Sequence, residues 1–125
     1  MMDVIQSVKP DFSVLSGDDN LTYPLIALGG HGIVSVLSNL LPKEVVEMTH
    51  LALEGQFEKA RALHYELLPW CKALFVETNP APVKYLMSRK GLPAGKIRLP
   101  LVPVKPETEQ KLNSLWSYET ATLQN

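Results

Sequence analysis

The apolar residues of this chain fall into two kinds of pattern. Phe12-Ser13-Val14-Leu15-Ser16, between Pro10 and Gly17, and Ile33-Val34-Ser35-Val36-Leu37, after Gly32, are short and mostly apolar at neighbouring positions. Runs of this kind suit strands buried on both faces, as in a parallel sheet. Gly17-Asp18-Asp19-Asn20 reads as a turn ending in good N-cap residues, so a short helix is expected from about Leu21 to Leu28, with Pro24 tolerated in its first turn. Gly29-Gly30-His31-Gly32 stops that helix and permits positive φ. Ahead of the first strand, residues 3–9 carry Val4, Ile5 and Val8 on a short amphipathic stretch that Pro10 ends, the last turns of a helix.

From Pro42 onward the spacing is helical. Val45, Val46, Met48, Leu51 and Ala52 make one apolar face that ends at Gly55. Phe57, Ala60, Leu63, Leu67, Cys71, Leu74 and Phe75 make another, with a kink expected at Pro69. Pro82 begins a further helix with Val83, Leu86 and Met87 inward and Gly91 after its end. Leu99-Pro100-Leu101-Val102-Pro103 reads as an extended connector, and Pro106 opens a last helix with Leu112, Leu115 and Trp116 as its apolar face. The order is strand, helix, strand and then four helices, and two parallel strands joined through a helix belong to an α/β fold. Two strands cannot form a sheet covered on both faces, and a closed eight-stranded βα barrel needs roughly 250 residues. Alone, the strands would leave unpaired edges in apolar surroundings. The chain is therefore expected to be part of a larger fold.

Composition narrows the partners. Twelve basic against thirteen acidic residues give a formal net charge of −1, which supplies no dominant basic field for nucleic acid or an anionic membrane. A single cysteine, Cys71, leaves no intrachain disulfide and no multi-cysteine metal site, and the reducing cytoplasm is the expected compartment. The start, Met1-Met2-Asp3-Val4, lacks the pattern of a signal peptide. The apolar stretches fall far short of the ~20 residues that span a bilayer.

Few side chains stand out as chemistry. The glycine-rich loop at 29–32 could pass for a phosphate cradle, but it precedes a strand rather than a helix N-terminus, so a tight helix-to-strand turn is the better reading and His31 receives no catalytic role. His50 and His64 have no partner histidine at helical spacing, and no metal site is expected. Cys71 suits a buried apolar position. Glu77 and Asn79 could cap the helix that starts near Pro80, and both are read as structural residues. Lys84, Arg89, Lys90, Lys96 and Arg98 read as a solvated face.

Several segments taken together resemble one family. Val14-Leu15-Ser16-Gly17-Asp18-Asp19, Gly29-Gly30-His31-Gly32-Ile33-Val34-Ser35-Val36 and Phe75-Val76-Glu77-Thr78-Asn79-Pro80-Ala81-Pro82-Val83-Lys84 resemble consecutive landmarks of the dihydrodipicolinate synthase family, and Gly91-Leu92-Pro93 and Arg98-Leu99-Pro100-Leu101 continue the match. The segment from Glu77 to Lys84 is the most specific piece, and it favours the synthases over N-acetylneuraminate lyase and the related aldolases of the same superfamily. The resemblance implies the C-terminal quarter, strands seven and eight, of a (β/α)8 TIM barrel followed by a C-terminal helical domain. On that map residues 1–55 are partial barrel and residues 56–125 the helical domain.

The resemblance also implies a reaction. The family condenses pyruvate with aspartate semialdehyde through a Schiff base between pyruvate and a lysine on strand six, with a tyrosine on strand five relaying protons, and needs no cofactor. The lysine is expected further upstream of Gly17 than the sixteen residues present here. Lys9, the only lysine before Gly17, maps to the helix after strand six and cannot take that role. No catalytic residue is therefore assigned, and the isolated chain is expected to be inactive. Val34 is expected to line the pyruvate site with its backbone, and Gly17 to leave room for the imine. Pyruvate and aspartate semialdehyde are the expected substrates of the full enzyme, a homo-oligomer (a tetramer in the family) or a complementing N-terminal half the expected partner. A non-catalytic helical interaction module and another class I aldolase of the superfamily remain as alternatives.

Overall fold

The computed structural model describes residues 1–94 and 96–122, with side chains in the last helix followed through Ser117. It divides into two compact units, Met1–Leu68 and Pro69–Asn125. In the first, α1 (Met2–Ser7) precedes β1 (Leu15–Ser16), a 3₁₀ turn at Asp19–Leu21 leads into α2 (Thr22–Ala27), and β2 (Gly32–Ile33) follows. A second 3₁₀ turn at Leu37–Asn39 leads to α3 (Pro42–Leu53), after which α4 (Phe57–Ala73) begins; the divide between the units falls inside α4, just before Pro69. The second unit holds α5 (Ala81–Arg89) and α6 (Pro106–Thr122).

The strands pair in parallel, Leu15 opposite Gly32 and Ser16 opposite Ile33. Both are shorter than the apolar runs predict. A strand is defined by its partners, and the ladder is limited to a few rungs: His31 N donates to Val14 O at 2.8 Å below the paired residues and Val34 N to Ser16 O at 2.8 Å above them. Val36 and Leu37, expected to end the second strand, turn instead into the 3₁₀ turn, because the Asp19 carboxylate takes their amides. Neither run is buried on both faces in this chain: Phe12 is 57% exposed, Leu15 49% and Val34 68%.

The helices follow their apolar periodicity more closely. In α3, Val45, Met48 and Ala52 are buried on one side while Val46 is left outside, and the helix packs on α2 and on the 3₁₀ turn at Leu37–Asn39. Leu37 and Leu40 are fully enclosed there, each worth about 1.5–3 kcal/mol of transfer from water. Ile26, Ala52 and Ala60 meet in a small cluster with Tyr23 and Leu51 against it. In the second unit α5 packs on α6, with Leu86 and Leu112 fully buried, Trp70 and Trp116 edge to face at 6.1 Å, and Tyr85 and Asn113 sharing hydrogen bonds of 2.9 and 3.2 Å.

The cap of α5 differs from expectation. Its N-cap residue is Pro80, whose side chain makes no cap bond, and Glu77 accepts from Lys105 N at 3.0 Å, at the start of α6. The first turn of α5 has little left to cap: Ala81 N already bonds Thr78 O, and Pro82 has no N–H. Hydrogen bonds from Thr108 and from the Lys105 backbone hold the Glu77 carboxyl below the usual carboxylate range.

Candidate functional site

The C-terminal ends of two neighbouring parallel strands make a natural rim for a site, because the connections that leave them can carry side chains chosen for chemistry rather than packing. Here that rim is built from Ser16-Gly17-Asp18-Asp19 after β1 and from Val34-Ser35-Val36 after β2. The rung from Val34 N to Ser16 O, 2.8 Å, joins the two segments directly. It brings Gly17 and Val34, seventeen positions apart in the chain, to the same end of the strand pair.

Gly17 has an unusual freedom for a glycine at a strand end. A Cβ built on it meets no atom within 4 Å, and its φ lies outside the left-handed range that glycine is normally chosen for. Neither crowding nor backbone conformation in this chain calls for glycine at this position. Val34, by contrast, is an aliphatic residue left two-thirds exposed at the rim.

The acidic pair after Gly17 divides its work. Asp18 acts locally: its carboxylate accepts from Asn20 N at 3.3 Å and caps the 3₁₀ turn that leads into α2, while Ser16 Oγ donates to its carbonyl at 2.7 Å. Asp19 does not cap its own helix. Its side chain is buried, takes the Ser35 hydroxyl on Oδ1 and the amides of Val36 and Leu37 on Oδ2 at 2.9 and 3.2 Å. Ser35 Oγ in turn accepts from Ser38 N at 2.8 Å. Three successive amides, 36 to 38, are thus satisfied by one carboxylate and the hydroxyl it binds. Reading the sequence assigns Asp19 to a cap but misses its target; the only hint is a second aspartate where one suffices.

The glycine-rich loop is fully committed to the fold. Gly29 N bonds Ile26 O at 2.9 Å, Gly30 N bonds Leu25 O at 2.8 Å, and His31 N bonds Val14 O, so these amides are not aimed at a phosphate. Gly29 and Gly32 have φ of 98° and 149°, and at Gly30 a Cβ would lie 2.4 Å from Leu25 Cδ2. His31 completes the ladder with its side chain, Nδ1 accepting from Val14 N at 3.1 Å.

The remaining candidates do not converge. Among the described residues no three His, Cys, Asp or Glu side chains come together. His64 stacks obliquely on Tyr23, ring centroids 5.5 Å apart, and burial pushes its pKa down. Cys71 is buried. Lys9 is exposed and precedes β1, at the end of the strand away from Gly17. In the second unit Lys84 Nζ donates to Lys96 O at 3.4 Å; Arg89, Lys96 and Arg98 are exposed. No described helix is long and apolar enough to cross a membrane.

The chain matches the model of the Dihydrodipicolinate synthetase family over residues 1–118. It is 54% identical over 103 residues to 4-hydroxy-tetrahydrodipicolinate synthase of Methanocaldococcus jannaschii, covering 82% of this chain and 36% of that protein. To the enzyme of the same name from Protochlamydia amoebophila it is 50% identical over 115 residues, 90% of this chain and 38% of that one. The crystal structure of dihydrodipicolinate synthase from Aquifex aeolicus superposes with a TM-score of 0.91 at 43% identity, covering 95% of this chain and 41% of that structure. The chain therefore spans well under half the length of the relatives it matches. Its α/β architecture is that of the last two strands of a (β/α)8 barrel with the helices that follow them. With matching elements, matching order and this level of identity, the chain belongs to the dihydrodipicolinate synthetase family.

Proposed function

We propose that this chain is the C-terminal part of a 4-hydroxy-tetrahydrodipicolinate synthase, the lyase that condenses pyruvate with aspartate semialdehyde in lysine (diaminopimelate) biosynthesis. The observation that carries the reading is the strand-end rim, where Gly17 and Val34 stand together across the Ser16–Val34 rung. In a βα barrel the chemistry sits at that end of the strands. Gly17 is a glycine without a steric or conformational reason in its own surroundings, and a covalently held pyruvate beside it supplies one. Val34 offers the same rim its backbone and an exposed aliphatic side chain.

The condensation runs through an imine: a lysine amine adds to the pyruvate carbonyl with loss of water, and the protonated nitrogen takes up the electron pair of a methyl C–H bond as its proton passes to a base, sought like the lysine outside residues 1–125. The resulting enamine attacks the aldehyde. That nitrogen is the electron sink, so the reaction needs no separate cofactor. The lysine is sought outside residues 1–125. Lys9 lies before β1 and away from the rim, and Lys84 belongs to the helical unit and bonds a backbone carbonyl there. Residues 1–55 are read as barrel and residues 56–125 as the C-terminal helical domain of a cytoplasmic homo-oligomer, in which the other strands come from the same or a complementing chain.

Two experiments test the reading. Grafting residues 1–125 in place of the equivalent C-terminal part of the Methanocaldococcus jannaschii enzyme should give a chimera that traps pyruvate on borohydride reduction and condenses it with aspartate semialdehyde. A folded chimera that does neither would sink the proposal. The purified 125-residue chain, treated with pyruvate and borohydride, should show no adduct by intact mass; a stoichiometric adduct on Lys9 or Lys84 would overturn the assignment of the imine to a lysine elsewhere.

A further inference from the structure

We propose that Asp19 is a positioning residue that holds Val34 in place at the strand end it shares with Gly17. The inference rests on the site reading above and adds a residue to it. Asp19 is a residue only 4% exposed, and a buried carboxylate is expensive unless donors surround it; here three do, all from one short segment: the Ser35 hydroxyl and the amides of Val36 and Leu37. Successive amides of this kind form a nest for an anion, and here the chain fills the nest with its own side chain. Bonds to an ionised acceptor are the stronger class.

The placement of the donors matters more than their number. A residue within the segment could cap the 3₁₀ turn at Leu37–Asn39 locally, as Asp18 caps its own. The cap comes instead from the end of the neighbouring strand, so it ties the two strand ends together. Val34 is held on one side by its amide on Ser16 O and on the other by Ser35 and Val36 on Asp19. Ser16, Gly17, Asp18, Asp19, Val36, Ser35 and Val34 thereby close a ring of backbone with a rung at each end. Both residues of the proposed pyruvate site are members of that ring. Cutting the Asp19 rung leaves Val34 anchored on one side only and frees the chain to turn outward where Val36 and Leu37 now bend away.

Asp19→Asn is the primary variant, because it keeps the shape and removes the charge and one acceptor; Ser35→Ala removes one donor to Asp19 together with the acceptor of the Ser38 amide, and covers the case in which the first does not fold. In ¹⁵N spectra of the 125-residue chain, both variants should speed exchange of the Val36 and Leu37 amides, by about tenfold or more for Asp19→Asn, and shift the Val34 and Gly17 resonances. Unchanged Val34 and Gly17 signals would overturn the proposal. In the active chimera, Asp19→Asn should raise KM for pyruvate by about tenfold with a smaller change in kcat; a stable variant with both constants intact would likewise overturn it. If the parent chimera is inactive, the functional reading fails, and the amide measurements still decide whether Asp19 holds Val34.

Discussion

Replacing Gly30 with alanine puts a methyl group into space that Leu25 already occupies. The new Cβ would lie 2.4 Å from Leu25 Cδ2, 2.5 Å from Cγ and 2.9 Å from the Leu25 carbonyl oxygen. The end of the leucine side chain can give way in part. The carbonyl oxygen cannot do so freely, because it accepts the Gly30 N–H at 2.8 Å and Leu25 is a buried member of α2. Overpacking of this kind costs about 1–3 kcal/mol, and the stiffer unfolded chain of an alanine variant returns about 0.4–1 kcal/mol. The expected net, taking the middle of each range, is a loss of about 1.3 kcal/mol. Gly17→Ala is the matched comparison, since its Cβ meets nothing and its backbone does not require glycine; it should leave stability unchanged or raise it by up to about 1 kcal/mol. Urea unfolding followed by far-ultraviolet circular dichroism, with midpoints compared at equal slope, measures both. Gly30→Ala as stable as the parent, or Gly17→Ala the more damaging of the two, would refute the steric reasoning. A stable Gly17→Ala that loses pyruvate trapping in the chimera would separate a glycine kept for the fold from one kept for the site.

Leu86 on α5 is fully buried, and Leu86→Ala should cost about 2–5 kcal/mol; a midpoint within error of the parent in the same urea titration would contradict the packing described. Glu77 has a folded-state pKa held below its unfolded value by Thr108 and Lys105. Its contribution to stability is therefore present above the ordinary carboxylate range and lost as pH falls through the lowered pKa, so Glu77→Gln should flatten the acid limb of the thermal-midpoint curve; an acid limb identical in the two proteins would count against the cap. Burial disfavours the imidazolium of His64, so its proton should leave at lower pH than in an unfolded peptide; imidazole resonances followed across pH would expose the error if His64 titrates at or above the ordinary histidine value.

Much of this chain is legible in its sequence. The helices follow from apolar spacing and from Pro42, Pro82 and Pro106 at or near their starts, because amphipathic periodicity and proline chemistry are local. The turn from Gly29 to Gly32 follows from glycines that tolerate φ of 98° and 149°. The kinship is also written in order and spacing, above all in Glu77 to Lys84. What the sequence could not disclose is which partners the polar groups choose. Asp19 was readable as a cap, but the amides it satisfies lie seventeen and eighteen residues away; Glu77 stabilises the start of α6 rather than α5; His31 lends an imidazole nitrogen to Val14. Strand length is hidden from the sequence for the same reason, since apolar runs record a tendency to be buried while a ladder exists only where another backbone lies alongside. Gly17 and Val34 stand together because β1 and β2 pair in one particular register. Local propensity set the elements; the register and the long-range hydrogen bonds, which only the folded chain creates, built the rim where the chemistry is proposed.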